Sequence, residues 1–363
     1  MKFSFYIWMF YLIILPFYVM PSGTPQMADI LGVLLVAIHI KEIVISATKN
    51  DFFRYLIYFT FYTLFVGIFW FAYLGDPELI QSPINYLYCF FFMSSIFSYF
   101  KDPQFIKITM YAILISLSLQ MALWPFIPYQ GARVQLFFNN PNQLALWALC
   151  LLIFSSALSL VHNKKTIIFP IIYLLSSFAI FLSASRSALV GCFVFWIVFF
   201  FKSKRNFISI SLILLLLIMF VVTTEAINFE DSPLINYAIN RLSGENISSD
   251  SSLGGRGYDR ILDFPQYLVL GAGEGGVEYR FDSPIELHNT FLTMLFSYGL
   301  LGFFFFLRSF YAIASGATKY ILILLLILSM HLNAHMSFRV PLLWMTLALL
   351  FYAKEYLKAS KPT

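Results

Sequence analysis

An imidazole and an amide, His288 and Asn289, stand where "SPIELHNTFLTMLFSYGLLG" (283–302) turns from polar to wholly apolar. Histidine exchanges protons near neutral pH, so His288 is a candidate general base, with Glu286 close enough in sequence to orient it or to take the role itself. Asn289 is also a favourable helix N-cap, whereas His288 is not a preferred one. Seven arginines fall on the same side of the chain's charge pattern: Arg133, Arg186, Arg241, Arg256, Arg260, Arg280 and Arg339. A guanidinium grips phosphate oxygens in pairs and stays charged when partly dehydrated. A base beside a set of arginines suits chemistry on a phosphate-bearing substrate.

Four further stretches carry polar residues at the margins of apolar runs. "NNPNQLALW" (139–147) clusters Asn139, Asn142 and Gln143 around a helix start, with Asn140 suited to the N-cap and Pro141 to the first helical position. Arg133 lies just upstream. "SASRSALVG" (183–191) puts Arg186 in a very short turn at the membrane boundary, where it must snorkel to headgroups or meet an anion. "GAGEGG" (271–276) has neither the βαβ context nor the lysine of a nucleotide loop, and reads instead as a tight turn that lets backbone approach a substrate or the membrane surface. "HMSFRVPLLW" (335–344) holds Arg339 in a last turn. His331 and His335 are spaced i, i+4, a spacing that can bind a metal, but no third ligand is nearby and no metal is expected.

The elements that position these residues follow from composition. Of 363 residues, 60% are hydrophobic and 11% charged, far below the roughly 25% charge of a soluble domain, so a soluble globular class is excluded. Several apolar runs reach the roughly 20 residues that cross a bilayer core. The expected fold is all-α, a polytopic integral membrane protein with about twelve transmembrane helices in a single domain, 1–363. Those helices are placed near 3–20, 28–46, 53–74, 83–100, 105–126, 142–161, 166–183, 187–201, 207–224, 287–312, 318–336 and 339–353. Lys2 and the run Phe3–Met20 read as a retained signal anchor. Cys89, Cys150 and Cys192 lie inside apolar runs and read as small core residues.

Sorting the basic residues over alternate loops puts sixteen on one side, including every lysine, and the seven arginines on the other. The positive-inside rule assigns the first side, with both termini, to the cytoplasm. Fourteen of the eighteen acids fall outside. The one long loop, 225–286, is also outer; its first half is Ser/Gly-rich, and its second half, "ILDFPQYLVLGAGEGGVEYRFDSP", is dense enough for a short helix and a turn.

"NNPNQLA", "SASRSALVG", "GGRGYDR…GAGEG" and "ELHNTFLTMLFSYGLLG" occur in the order of the O-antigen polymerase and O-antigen ligase superfamily, which the chain resembles from about Arg133 to its end. The resemblance implies a GT-C-like fold, a long periplasmic loop and residence in the bacterial inner (cytoplasmic) membrane. It implies a glycosyltransferase that uses an undecaprenyl-diphosphate-linked oligosaccharide, with the active site periplasmic. Arg186, Arg256 and His288–Asn289 match the family's short-turn Arg, loop Gly-Arg and loop-end His-Asn. The family has Trp where this chain has Arg260, so the choice between Arg256 and Arg260 as loop phosphate ligand is open. His288, Arg186, Arg256 and Glu286 are therefore the candidate catalytic residues. Arg133, Arg186, Arg256, Arg260 and Arg339 are candidates for the diphosphate, and Asn139, Asn142 and Asn289 for the sugars. No cofactor is expected: no Asp-x-Asp metal motif sits in the outer loops, so the arginines would take the place of a cation.

Within that resemblance a polymerase of O-antigen or a related surface polysaccharide is expected ahead of a ligase that moves the glycan to lipid A core. A flippase-type transporter is a third reading, disfavoured because the ionisable residues gather at one face, His39 excepted, and because no internal repeat is evident. The expected partners are the lipid-linked oligosaccharide, the bilayer, a chain-length regulator and a flippase, with no nucleic acid.

Overall fold

The computed structural model describes residues 3–21, 24–127, 133–162, 166–202, 256–275, 280–281 and 287–360. Among these residues all regular structure is helical, with no strand. Before the long loop come α1 (Phe3–Ile14), α2 (Met27–Ile38), α3 (Ile40–Lys49), α4 (Asp51–Leu74), α5 (Glu78–Phe97), α6 (Pro103–Leu123), α7 (Pro141–His162), α8 (Ile168–Ser183) and α9 (Arg186–Lys202). Within the loop lie the short α10 (Asp259–Asp263) and α11 (Tyr267–Leu270), and after it α12 (Thr290–Ala314), α13 (Lys319–Leu332) and α14 (Pro341–Ala359).

Four of these helices are long and apolar enough to cross a membrane: α4, α6 with its 3-10 extension to Phe126, α7 and α12. α1, α2, α8, α9 as far as Phe199, and α13 are apolar but shorter. The expected span at 207–224 lies outside the described residues, as do Glu286, Arg241 and the Ser/Gly-rich half of the long loop. The single helix expected over 28–46 is two helices. His39 ends α2 by donating its N–H to Leu35 and Val36, and its carbonyl starts α3 by accepting from Glu42 and Ile43. Its buried ring lies 3.0 Å from the Tyr99 hydroxyl and 3.7 Å from Glu42, so the one mid-helix histidine marks a bend with polar partners.

α7 is the core. It is apolar all round rather than on one stripe, and 89% of its most hydrophobic stretch is buried, as a helix of that pattern requires. α8 and α14 pack on it along its length. Asn140 caps its start by accepting from the Gln143 N–H at 3.0 Å, and Pro141 holds the first helical position. All three cysteines are buried and free, as core residues should be.

The feature that shapes the site is a break in α12. Gly299 has φ 61° and ψ −174°, a region essentially reserved for glycine. The break strips the carbonyls of Phe296 and Ser297 of their helical donors. The N–H groups of Ala272 and Gly273, in the "GAGEGG" stretch, replace them at 2.9 and 2.8 Å. Gly271, at φ 103°, lies so close that a Cβ there would overlap the Ser297 carbonyl. From α4, Tyr62 donates to the Leu270 carbonyl at 3.1 Å and Trp70 to the Gly271 carbonyl at 2.9 Å. The loop thus seats nine residues along α12, about 13 Å from its start by helical rise. The turn packs against its own helix, with residues 271–274 buried, and its residues 273–275 also line a cavity shared with Arg260 and Arg339. Irregular backbone survives in a helical membrane bundle only where protein covers it, and here it does.

Candidate active site

The middle of the long loop meets the start of α12. The His288 N–H donates to the Arg256 carbonyl at 3.3 Å, and the Tyr258 hydroxyl reaches the His288 carbonyl at 3.4 Å. The His288 side chain is exposed at this junction. Asn289 is the N-cap of α12: its Oδ1 accepts from the Leu292 N–H at 3.1 Å, and its Nδ2 lies 3.5 Å from Asn333. The abrupt switch from extended backbone at Asn289 to helix therefore holds the imidazole just ahead of the apolar segment. Asn289→Ala is expected to lower stability by about 1 kcal/mol through loss of the cap, whereas Asn289→Asp keeps the accepting oxygen and the stability; thermal melts of the purified protein check both.

Arg186 is the first residue of α9. The preceding turn is two residues long, with Ala184 left-handed at φ 48° and Ser185 buried. A guanidinium at a helix N-terminus adds its charge to the positive end of the helix dipole, which suits an anion. The neighbouring Ser187 hydroxyl lies 3.0 Å from Nδ1 of His331, a fully buried histidine in the last turn of α13. Arg133 braces the same turn from the other side. Its Nε donates to the Ser183 carbonyl, the last of α8, at 3.0 Å, and its Nη2 donates to Asn142 Oδ1 at 2.7 Å. Asn142 thus joins the arginine set, while Asn139 donates through Nδ2 to the Met20 carbonyl at 2.9 Å and through its backbone N–H to Gln143.

α13 ends at Leu332, one residue past His331, so His335 stands outside the helix, its ring centroid 4.9 Å from that of His331. The segment from His331 to Arg339 links the whole face. His331 meets Ser187, Asn333 meets Asn289, the His335 carbonyl accepts from Thr290 Oγ1 at 2.7 Å, and Arg339 reaches the glycine loop.

That last contact involves a residue the sequence reading passed over. Glu274 is 4% exposed and its carboxylate receives four hydrogen bonds. Arg339 donates to Oε1 from Nε at 2.8 Å and from Nη2 at 2.6 Å. Tyr86 and Tyr298 donate to Oε2 at 2.6 and 2.8 Å. The one available signal was an acid among four glycines; nothing separated Tyr86 and Tyr298 from the other twenty tyrosines. Beside this network is a small cavity lined by Arg260, Glu274, Arg339, Thr293, Phe296 and Met336, among others. Arg260 is buried, with its guanidinium 5.1 Å from the Phe281 ring. Arg280 is held against Trp70 and Phe281 at 5.0 and 5.1 Å.

The structure therefore brings Arg256 to His288, Arg133 and Asn142 to the Arg186 turn, and Arg260 and Arg339 to one cavity. Glu286 lies outside the described residues. Among the described residues, the all-helical apolar bundle points to a membrane protein, and it gathers arginines, histidines and a buried carboxylate around α9, α12 and the turn before α14. Residues 171–307 match the family model described as O-antigen ligase, which supports the O-antigen ligase/polymerase family, whose members are glycosyltransferase-like enzymes. The matched stretch holds Arg186, Arg256, Arg260, Glu274, His288 and Asn289, and leaves out Arg133 and Arg339. Among curated proteins, none matches the chain.

Proposed function

We propose that this protein is a polymerase of O-antigen or a related surface polysaccharide, joining repeat units on an undecaprenyl-diphosphate carrier at the periplasmic face of the inner membrane. In this reading the chain crosses the membrane about twelve times, and both termini are cytoplasmic. The observation that carries it is the backbone hydrogen bond that brings Arg256, from the middle of the loop, beside His288, inside the stretch that matches the family.

The chemistry follows from the side chains. An acceptor sugar hydroxyl attacks the anomeric carbon of the lipid-linked glycan. The bond from that carbon to the diphosphate oxygen breaks, and the electron pair leaves with the diphosphate. Arg186 and Arg256 stabilise the charge that grows there, with Arg133, Arg260 and Arg339 as further members of the cradle. The exposed His288 imidazole takes the hydroxyl proton, and Glu286 orients it. Asn139, Asn142 and Asn289 contact the sugars. The lipid of the donor lies in the bilayer and its sugars in water, so a base at the start of α12 stands where both are within reach. Arginines supply the positive charge that a metal ion supplies elsewhere, so EDTA is expected to leave turnover unchanged.

The test is complementation of a polymerase-null strain of the same serotype, read as the O-chain ladder on a gel. A restored ladder supports polymerisation. Rescue of a ligase-null strain instead would keep the donor site and change the acceptor to lipid A core. Rescue of a flippase-null strain, with His288→Ala and Arg186→Ala as active as wild type, would replace the reading by transport.

A further inference from the structure

The Glu274 network sits oddly in a site meant for an anion. A carboxylate beside a diphosphate repels it, so simple electrostatics makes Glu274 a liability. Its surroundings show a different use. All four donors are spent on it in short, charge-assisted or phenolic bonds, and they come from three separate parts of the fold: α5 through Tyr86, α12 through Tyr298, and the turn before α14 through Arg339. Tyr298 directly precedes the helix break at Gly299, and Glu274 directly follows the loop residues that fill that break. The Arg339 carbonyl is held as well, by Asn85 Nδ2 at 3.1 Å. Arg339 is 26% exposed and lines the cavity shared with Arg260, while Glu274 is 4% exposed.

We propose that Glu274 is a positioning residue: it fixes the Arg339 guanidinium against the cavity and, through Tyr86 and Tyr298, makes that orientation depend on the glycine loop being seated in the break of α12. The proposal rests on the diphosphate reading of the site. A long side chain at the end of a turn has many rotamers, and holding one of them in advance removes that ordering cost from binding. Glu274 itself touches no substrate.

The sign of one substitution separates positioning from repulsion. The full-length protein in nanodiscs is titrated with farnesyl diphosphate, a short isoprenoid diphosphate, and binding is measured calorimetrically at fixed ionic strength. Positioning predicts that Glu274→Gln binds about tenfold more weakly than wild type, although it removes a negative charge. Arg339→Lys loses a similar factor, and the double variant loses no more than either alone, because both act through one guanidinium. Tyr86→Phe/Tyr298→Phe, which keeps the carboxylate, also weakens binding, and supplies the answer should Glu274→Gln not yield folded protein. Binding by Glu274→Gln as tight as wild type or tighter, or additive losses in the double variant, overturns the proposal. Should farnesyl diphosphate fail to bind wild type, the positioning role and the diphosphate reading fall together; should it bind wild type but not Arg186→Ala, while Glu274→Gln is normal, positioning alone falls.

Discussion

Arg186→Ala is expected to reduce chain elongation by two to three orders of magnitude while the protein stays at its normal level in the membrane. The size follows from what one preorganised donor to a developing oxyanion contributes, about 10²–10³ in rate, when water is largely excluded. The location supports the upper part of that range. Arg186 opens α9, so its charge adds to the positive end of the helix dipole, and the two-residue turn before it leaves little freedom to relax. Arg186→Lys should recover only a small part of the activity, because an ammonium cannot grip two oxygens in a plane. His288→Ala should lose about 10²–10⁴, the range for a general base. The measurement is the ladder length and intensity for each variant, beside an immunoblot of the membrane fraction. Normal ladders from well-expressed Arg186→Ala would remove this residue from the chemistry.

The second large effect is on folding. Gly299→Ala and Gly271→Ala are each expected to abolish accumulation of the folded protein or to lower its melting temperature steeply. Backbone in this region costs a residue with a Cβ about 1–3 kcal/mol by itself. The added methyl of Gly299→Ala would also overlap the Val269 carbonyl, and that of Gly271→Ala the Ser297 carbonyl, neither of which can move without unseating the loop. Unseating it leaves the carbonyls of Phe296 and Ser297 without the Ala272 and Gly273 donors that now satisfy them. Gly75→Ala is the control: Gly75 also has positive φ, 71°, but nothing lies within 4 Å of the added atom. It should lose only the conformational cost, about 1–2 kcal/mol. Melting curves of the detergent-solubilised variants decide the matter, and equal losses at positions 75 and 299 would mean that the seat of the loop contributes little.

The contrast between these two results reflects how much of the molecule could be read from its residues. Arg186 and His288 stood out as candidates because charge and imidazole are rare in so apolar a chain, and because each stands where a run of hydrocarbon begins. Most helix starts were legible for the same reason, through Asn140 and Pro141 at α7 or Asn289 at α12. The split at His39 was not. Lys41 and Glu42 interrupt the apolar run just past it, but the bend at His39 itself has a partner in Tyr99, sixty residues away, which no local pattern reveals. The glycine loop was visible as a turn but not as a partner for α12, because its hydrogen bonds join residues more than twenty positions apart to a helix whose own sequence, "FSYGLLG", looks continuous. Glu274 escaped notice for a related reason. Its importance comes from two tyrosines and an arginine that only the tertiary fold collects.

The segment from His331 to Arg339 has a consequence for how the protein is made. It supplies partners to Ser187, Asn289, Thr290 and Glu274, yet it leaves the ribosome after all of them. During synthesis the earlier helices hold a half-built polar face, with Glu274 still lacking the Arg339 donors to Oε1. The polar face is thus complete only once this last segment is in place. Chains stopped before α13 lack the Arg339 donors to Glu274 and the His335 acceptor for Thr290, so truncation after α12 is expected to lower the yield of folded protein.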